Sequence, residues 1–452
     1  MNTTAAILVA CLALTADPLP SPQSGTLVSI KGTMTAVRGE SDGTKSFELN
    51  VLLDQVTPQG AVAYWTLDEQ GHGGWTWPSR FGRLDLDSTW RPIEGNALPT
   101  LLYDRGDGKS QVSLVLPLLA ADNKSLAKDV AWESGKLEHR VLGVEKRAER
   151  ESWKVEVRTA YGVKRTAWVA LDSPLVLSLR ERVFIGQGQE HELRSELVGS
   201  RQLSPAELEA TRGGFEALLD LRQKLNYEPR ENAPQWNEKQ LATLKADDGL
   251  AAKLSEVKLL AQLARALDQD VRSQKGRSGA VASLRDKAVG QSAPANWKLE
   301  GAGGAALNRE DLAGKVTILH FWEYRDTPLE EPYGQVGFLD FLHRQRQKAG
   351  VAVYGVSVFE SLDGDAGARR RAMQAAGRLK SFMNLSYPLL IDDGAVLKKF
   401  GDPRVTGAKL PLWIVIDPAG KVVEYHAGHY EVQRDRGLEA LDAAVTKALG
   451  KP

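Results

Sequence analysis

The chain has one cysteine in 452 residues, Cys11. A single thiol forms no intramolecular disulfide, no paired redox dithiol and no cysteine-rich zinc site. Histidine is also sparse, at positions 72, 139, 191, 320, 343, 426 and 429, and only His426 and His429 are close in sequence. Two imidazoles without a neighbouring cysteine or paired carboxylate make a poor ligand set, so neither a metal nor a cofactor is expected. An excess of charge of one sign is missing too, with Lys plus Arg and Asp plus Glu both 58. That balance excludes a nucleic acid or anionic bilayer held by bulk charge. There is no phosphate-binding Gly-x-x-x-x-Gly-Lys-Ser/Thr loop and no Gly-x-Ser-x-Gly nucleophile turn. Ser357 sits in an apolar strand without a partner histidine, and Arg369 to Arg371 reads as a solvated helix face.

The longest apolar run, Ala5 to Leu14, falls short of the ~20 residues that span a bilayer and precedes Asp17-Pro18-Leu19-Pro20. Residues 1–16 are therefore read as a signal peptide, which places the protein in the periplasm or cell envelope. Leu8-Val-Ala-Cys11 also resembles a bacterial lipobox. On that alternative Cys11 is a lipidation site and the membrane is a partner only through it.

Residues 26–200 read as an antiparallel β domain. Short apolar or alternating runs recur there, most clearly His139 to Glu145, Trp153 to Thr159, Arg165 to Leu171, Leu175 to Ile185 and Glu190 to Val198. Trp65, Trp75, Trp77 and Trp90 cluster around a glycine-rich stretch, as core filling or as an exposed ligand-stacking surface. Residues 204–290 read as a helical hairpin and linker. Ser204-Pro-Ala-Glu207 is a capping box with proline at the first helical position, and a second helix is expected from about Asn237 to Leu267. The Ser-, Gly-, Lys- and Arg-rich stretch from Arg272 to Gln291 is expected to be the linker.

The final domain, 292–450, carries the most specific signals. An apolar strand ends in His320-Phe-Trp-Glu-Tyr-Arg-Asp-Thr-Pro-Leu-Glu-Glu331, and Leu410-Pro-Leu-Trp-Ile-Val-Ile-Asp-Pro-Ala-Gly-Lys421 follows much later. Between them lie Gly350 to Val358 and Tyr387 to Asp393, and Ala293 to Leu299 and Leu307 to Lys315 come before. In this order the segments resemble the TlpA-like and redoxin branch of the thioredoxin superfamily, whose strand ends Phe-Trp-Ala-x-Trp-Cys-x-Pro-Cys. The resemblance implies a thioredoxin-like α/β fold with the active-site turn opposite a cis-proline at Pro411. It maps Trp322 onto the conserved tryptophan, Arg325 onto the second, Asp326 onto the attacking cysteine, Thr327 onto the variable position, Pro328 onto the inner proline and Leu329 onto the resolving cysteine. Neither aspartate nor leucine can form the mixed disulfide that such exchange requires. Asp326 instead suits the cap of the following helix, where a carboxylate is worth roughly 1 kcal/mol.

The fold class expected is α+β and multidomain: an N-terminal antiparallel β domain, a helical spacer and a C-terminal thioredoxin-like α/β domain. The functional expectation is an exported, cysteine-less scaffold or binding protein without a catalytic residue. Its partner would be a protein or peptide held near Leu410 and Pro411. Two alternatives stay open, a thiol-disulfide oxidoreductase as the resemblance implies, and a hydrolase-type enzyme using Asp326 and Glu323 as acids.

Overall fold

A computed structural model describes residues 22–37, 44–104, 109–119, 125–147, 150–186, 188–227, 234–247, 249–301, 304–323, 335–359 and 366–450. The signal segment 1–16 with Cys11, and the degenerate positions Arg325, Asp326, Thr327, Pro328 and Leu329, lie outside the described residues. The chain divides into two compact units, residues 1–271 and 272–452.

The first unit is built on strands β1 (Thr26–Ala36), β2 (Lys45–Thr57), β3 (Gly60–Gln70), β4 (Phe81–Asp87), β5 (Thr100–Asp104), β6 (Lys109–Ser113), β7 (Ala131–Ser134), β8 (Leu137–Arg147), β9 (Arg150–Thr159), β10 (Gly162–Ala170), β11 (Val176–Ile185) and β12 (Gln189–Gln202). Ten of them form one sheet in the order β4-β3-β2-β1-β12-β11-β10-β9-β8-β7, antiparallel throughout, while β5 and β6 pair separately. The meander read from the sequence is present, extended by β3 and β4, which the sequence reading did not single out. Strand side chains alternate between faces, so Val28, Ile30, Leu49, Val51 and Trp65 enter one core. Leu27 and Leu52 point the other way, to Leu203, Leu208 and Leu259. Trp75 and Trp77 are also buried, their indole N–H groups donating to Thr100 O (2.6 Å) and Asp270 Oδ2 (2.9 Å). The tryptophans thus fill cores rather than form an exposed ligand-stacking surface.

Helix α1 (Pro205–Lys224) starts with the expected capping box: Glu207 N donates to Ser204 Oγ (3.3 Å) and Ser204 N to Glu207 Oε2 (2.9 Å). The single helix expected from Asn237 to Leu267 is instead broken into α2 (Glu238–Ala246), α3 (Leu250–Ser255) and the first part of α4 (Ala261–Ala288). Gly249, with φ +112°, adopts a left-handed conformation that an α-helix cannot contain and that glycine takes without steric cost. The linker expected over Arg272 to Gln291 is also corrected, because α4 runs through most of it. Its Lys, Arg, Gln and Ala residues are good helix formers, and Val281, Leu284 and Ala288 recur at helical spacing to pack against an apolar cluster. The boundary between the units falls inside this helix.

The second unit carries β13 (Lys298–Gly301), β14 (Ala306–Asn308), β15 (Val316–Glu323), β16 (Val351–Val358), β17 (Leu389–Asp392), β18 (Leu412–Ile416) and β19 (Val422–Ala427). They lie in the order β14-β13-β17-β16-β15-β18-β19. Strands β17, β16 and β15 are parallel, β18 runs antiparallel to β15, and β19 runs antiparallel to β18. One face packs on α5 (Val336–Arg346), α6 (Ala366–Phe382) and α8 (Glu439–Ala448) through Leu339, Ala376 and Leu441. The other packs on α7 (Ala395–Phe400) and the end of α4 through Leu397 and Leu284. This is the thioredoxin-like α/β arrangement, and buried parallel strands account for the near-continuous apolar runs.

The first unit also buries an ion pair. Lys45 Nζ lies 3.1 Å from Glu69 Oε1, with both side chains fully inaccessible. Glu69 also accepts from Trp75 N and Leu102 N, both at 2.9 Å, and Lys45 donates to His72 O and Gly73 O. Removing one partner leaves a buried charge uncompensated, at about 3–5 kcal/mol. Lys45→Met or Glu69→Gln alone should therefore lower the urea unfolding free energy of this unit by roughly that amount, and Lys45→Met with Glu69→Leu by less than the sum.

Candidate functional site

The site is framed by the ends of β15 and β18. These strands are antiparallel neighbours, with His320 opposite Trp413 and Phe321 opposite Leu412. The chain leaving β15 at Trp322 and Glu323 is thereby placed at the same end of the sheet as Leu410 and Pro411. The Leu410–Pro411 peptide is cis. The structure thus brings together three of the residues singled out from sequence, Trp322, Leu410 and Pro411. The Pro411 carbonyl accepts from Gly428 N (2.7 Å), which ties it to the turn after β19.

Aromatic groups support this end from beneath. His320 stacks on Trp413 with ring centroids 3.8 Å apart, and Trp413 Nε1 donates to Gly428 O (3.0 Å). His426 stacks on Tyr430 at 3.9 Å. Among the described residues no group of three His, Cys, Asp or Glu side chains is placed to hold an ion.

Charge enters through residues remote in sequence. Arg404 pairs with Glu323 at 3.6 Å and forms a fork with Asp402, Nη2 to Oδ2 at 2.8 Å and Nε to Oδ1 at 3.0 Å. Asp402 in turn caps the 3-10 turn Pro403–Thr406, accepting from Arg404 N (2.9 Å). Glu323, one of the two candidate acids, is thus paired with a guanidinium. Its supposed companion Asp326 lies outside the described residues. On the far side of the sheet end, Asp392 accepts from Leu397 N (2.8 Å) and Val396 N (3.1 Å) at the start of α7. At the entrance to α5, Gln335 exchanges two hydrogen bonds with the backbone of Tyr430, at 2.7 and 3.0 Å. The sequence reading missed Arg404, Asp402, Asp392 and Gln335 as site residues, since their partners are fixed by topology. Only the Asp at the end of an apolar strand, before Gly394, offered a local hint.

Residues 289–425 match the AhpC/TSA family. Solved structures similar to this chain include a putative thiol:disulfide interchange protein DsbE from Chlorobium tepidum, 24% identical, covering 36% of this chain and 98% of its own at TM-score 0.27. Another is MTB dsbF in its mixed oxidized and reduced forms, 19% identical, covering 34% and 94% at TM-score 0.26. A third is the bacterioferritin comigratory protein of Xanthomonas campestris, 20% identical, covering 34% and 92% at TM-score 0.25. No curated protein matches the chain. Among the described residues, no helix is long and apolar enough to cross a membrane.

Burial raises the Asp392 carboxyl pKa, and the two backbone N–H donors only partly offset this. In the unfolded chain the same group loses its proton near ~3.9. Between that value and the folded one the native state binds more protons, so this group's contribution falls as pH rises through the window. Urea midpoints measured from pH 4 to pH 7 should show a shallower decline in Asp392→Asn than in the wild type.

Proposed function

We propose, on the premise that residues 289–425 belong to the AhpC/TSA family, that this is an exported protein whose redoxin-type domain binds a partner and does not exchange thiols. The observation that carries this reading is the distribution of sulfur. Residues 12–452 contain no cysteine, and the two positions aligned with the redox pair are Asp326 and Leu329. Disulfide exchange needs one thiolate to attack and a second thiol to resolve the intermediate. A chain cleaved after Ala16 has neither.

The retained parts of the domain support a binding role. The junction of β15 and β18, with Trp322 on one side and Leu410-Pro411 on the other, keeps backbone at a sheet end where an extended peptide could pair. Trp322 is buried and supports that end from within. The Arg404, Asp402 and Glu323 cluster places a fixed charge pattern beside it. The partner in this reading is a protein or peptide segment in extended form. Export rests on the apolar run Ala5 to Leu14 and the proline-rich stretch after it. The mature product of the envelope fraction should begin after Ala16 by N-terminal sequencing, or at a lipid-modified Cys11 if the lipobox is read.

Two measurements test the binding reading. Purified protein should give no insulin-disulfide reduction above the reductant blank, and the double variant Asp326→Cys with Leu329→Cys should give measurable turnover. Reduction by the wild type would overturn the proposal. In a peptide-array capture by the full chain, Leu410→Glu should weaken retention by about tenfold, or 1.4 kcal/mol, at an unchanged melting temperature. Equal retention would remove the groove from consideration.

A further inference from the structure

In the first unit, β1, β2 and β3 present three successive cross-strand rows on the face turned toward the helices. Leu27, Leu52 and Tyr64 form an apolar row, Ser29, Asn50 and Thr66 a polar row, and Lys31, Glu48 and Asp68 a charged row. Leu203, Leu208 and Leu259 cover apolar Leu27 and Leu52. Over the polar row a cavity of about 240 Å³ remains, roofed by Lys258, Leu259, Gln262 and Leu263. That volume holds about eight waters at liquid density, which matches a ligand of roughly eight to ten non-hydrogen atoms.

The polar row is linked but not saturated. Ser29 Oγ donates to Asn50 Oδ1 (2.5 Å), and Asn50 Nδ2 donates to Thr66 Oγ1 (3.4 Å). A primary amide has two N–H donors and a hydroxyl one donor and two lone pairs. After these bonds the floor still offers an Asn50 N–H, the Thr66 O–H and lone pairs on Ser29. Three strands that place such groups side by side, Ser29 and Asn50 half-buried and Thr66 buried, present more hydrogen-bonding capacity than the protein itself uses. Lys258 at the roof makes no ion pair among the described residues, whereas Glu48 and Asp68 are already approached by Lys31 at 3.4 Å and Arg80 at 3.5 Å. The cavity therefore combines one uncommitted cation, neutral donors, two carboxylates on one side and an aliphatic wall of Leu27, Leu259 and Leu263.

We infer that this cavity binds a small aliphatic α-amino acid. Its carboxylate meets Lys258 and the Asn50 and Thr66 donors, its ammonium faces Glu48 and Asp68, and its side chain lies on the leucine wall. The site is distinct from the sheet end of the second unit and does not depend on the binding role given to it. No covalent step is involved.

Isothermal titration of the full chain with L-leucine, 4-methylpentanoate and L-leucinamide separates the contributions. Leucine should bind saturably at concentrations up to about 10 mM, and each of the other two should bind at least about tenfold more weakly, since each lacks one charged group. Lys258→Glu, at an exposed position, should weaken leucine binding by about tenfold or more, and Thr66→Val by a smaller factor, with melting temperatures measured without ligand to show that both variants fold. No saturable leucine binding, equal binding of 4-methylpentanoate, or an unchanged affinity in Lys258→Glu would each overturn the assignment.

Discussion

Seven consecutive side chains of β15, Val316 to Trp322, are buried, and the strand is paired on both edges, with β16 on one side and β18 on the other. A slip of one residue against either neighbour would turn every side chain to the opposite face and break both packed layers. The pairing of Phe321 with Leu412 is therefore fixed by apolar burial, and the place of everything at that end of the sheet follows from it. Trp322, Glu323, the Leu410-Pro411 peptide and the turn around Gly428 meet because the core admits only one register. None of these contacts involves sulfur. The register of this domain therefore needs no thiol to specify it.

The first unit solves a different problem. A sheet of ten antiparallel strands exposes two faces, and here one is filled from within by Val28, Val51 and Trp65 while the other is partly covered by helices. The buried Lys45–Glu69 pair satisfies its charges mutually and through four backbone groups, joining β2 and β3 to the backbone that follows β3 and to β5. Such a network carries a desolvation cost, and its value lies in excluding arrangements that leave a charge alone. The glycine-rich stretch before Trp75 is consequently held from inside as well as by the indole bonds.

Much of the C-terminal domain was legible because its strands are buried on both faces. Gly350 to Val358 and Leu410 to Ile416 are apolar runs of strand length, and the order of segments matched a known pattern. Strands β8 to β12 were legible for the opposite reason, their alternation and regular turns. Strand β3 was hidden, since Gly60 and the tryptophan-rich context masked its period. The course of α4 was misread because Ser, Gly and Lys are shared by linkers and solvated helices, and only the spacing of Val281, Leu284 and Ala288 distinguishes them. Of the candidate site, the sequence indicated Trp322 and Pro411 as members of a pattern. It could not indicate Arg404 beside Glu323 or Gln335 beside Tyr430, because both pairs arise from topology.

Those two contacts clamp the flanks of the segment that carries residues 324–334. Glu323 is held from one side by Arg404, itself locked to Asp402, and Gln335 from the other by the backbone of Tyr430. Each anchor is made by residues outside 324–334, so neither depends on the sequence that joins them. A variant altered only within residues 324–334 therefore leaves both anchors intact, and an engineer could graft a foreign peptide between them on that footing.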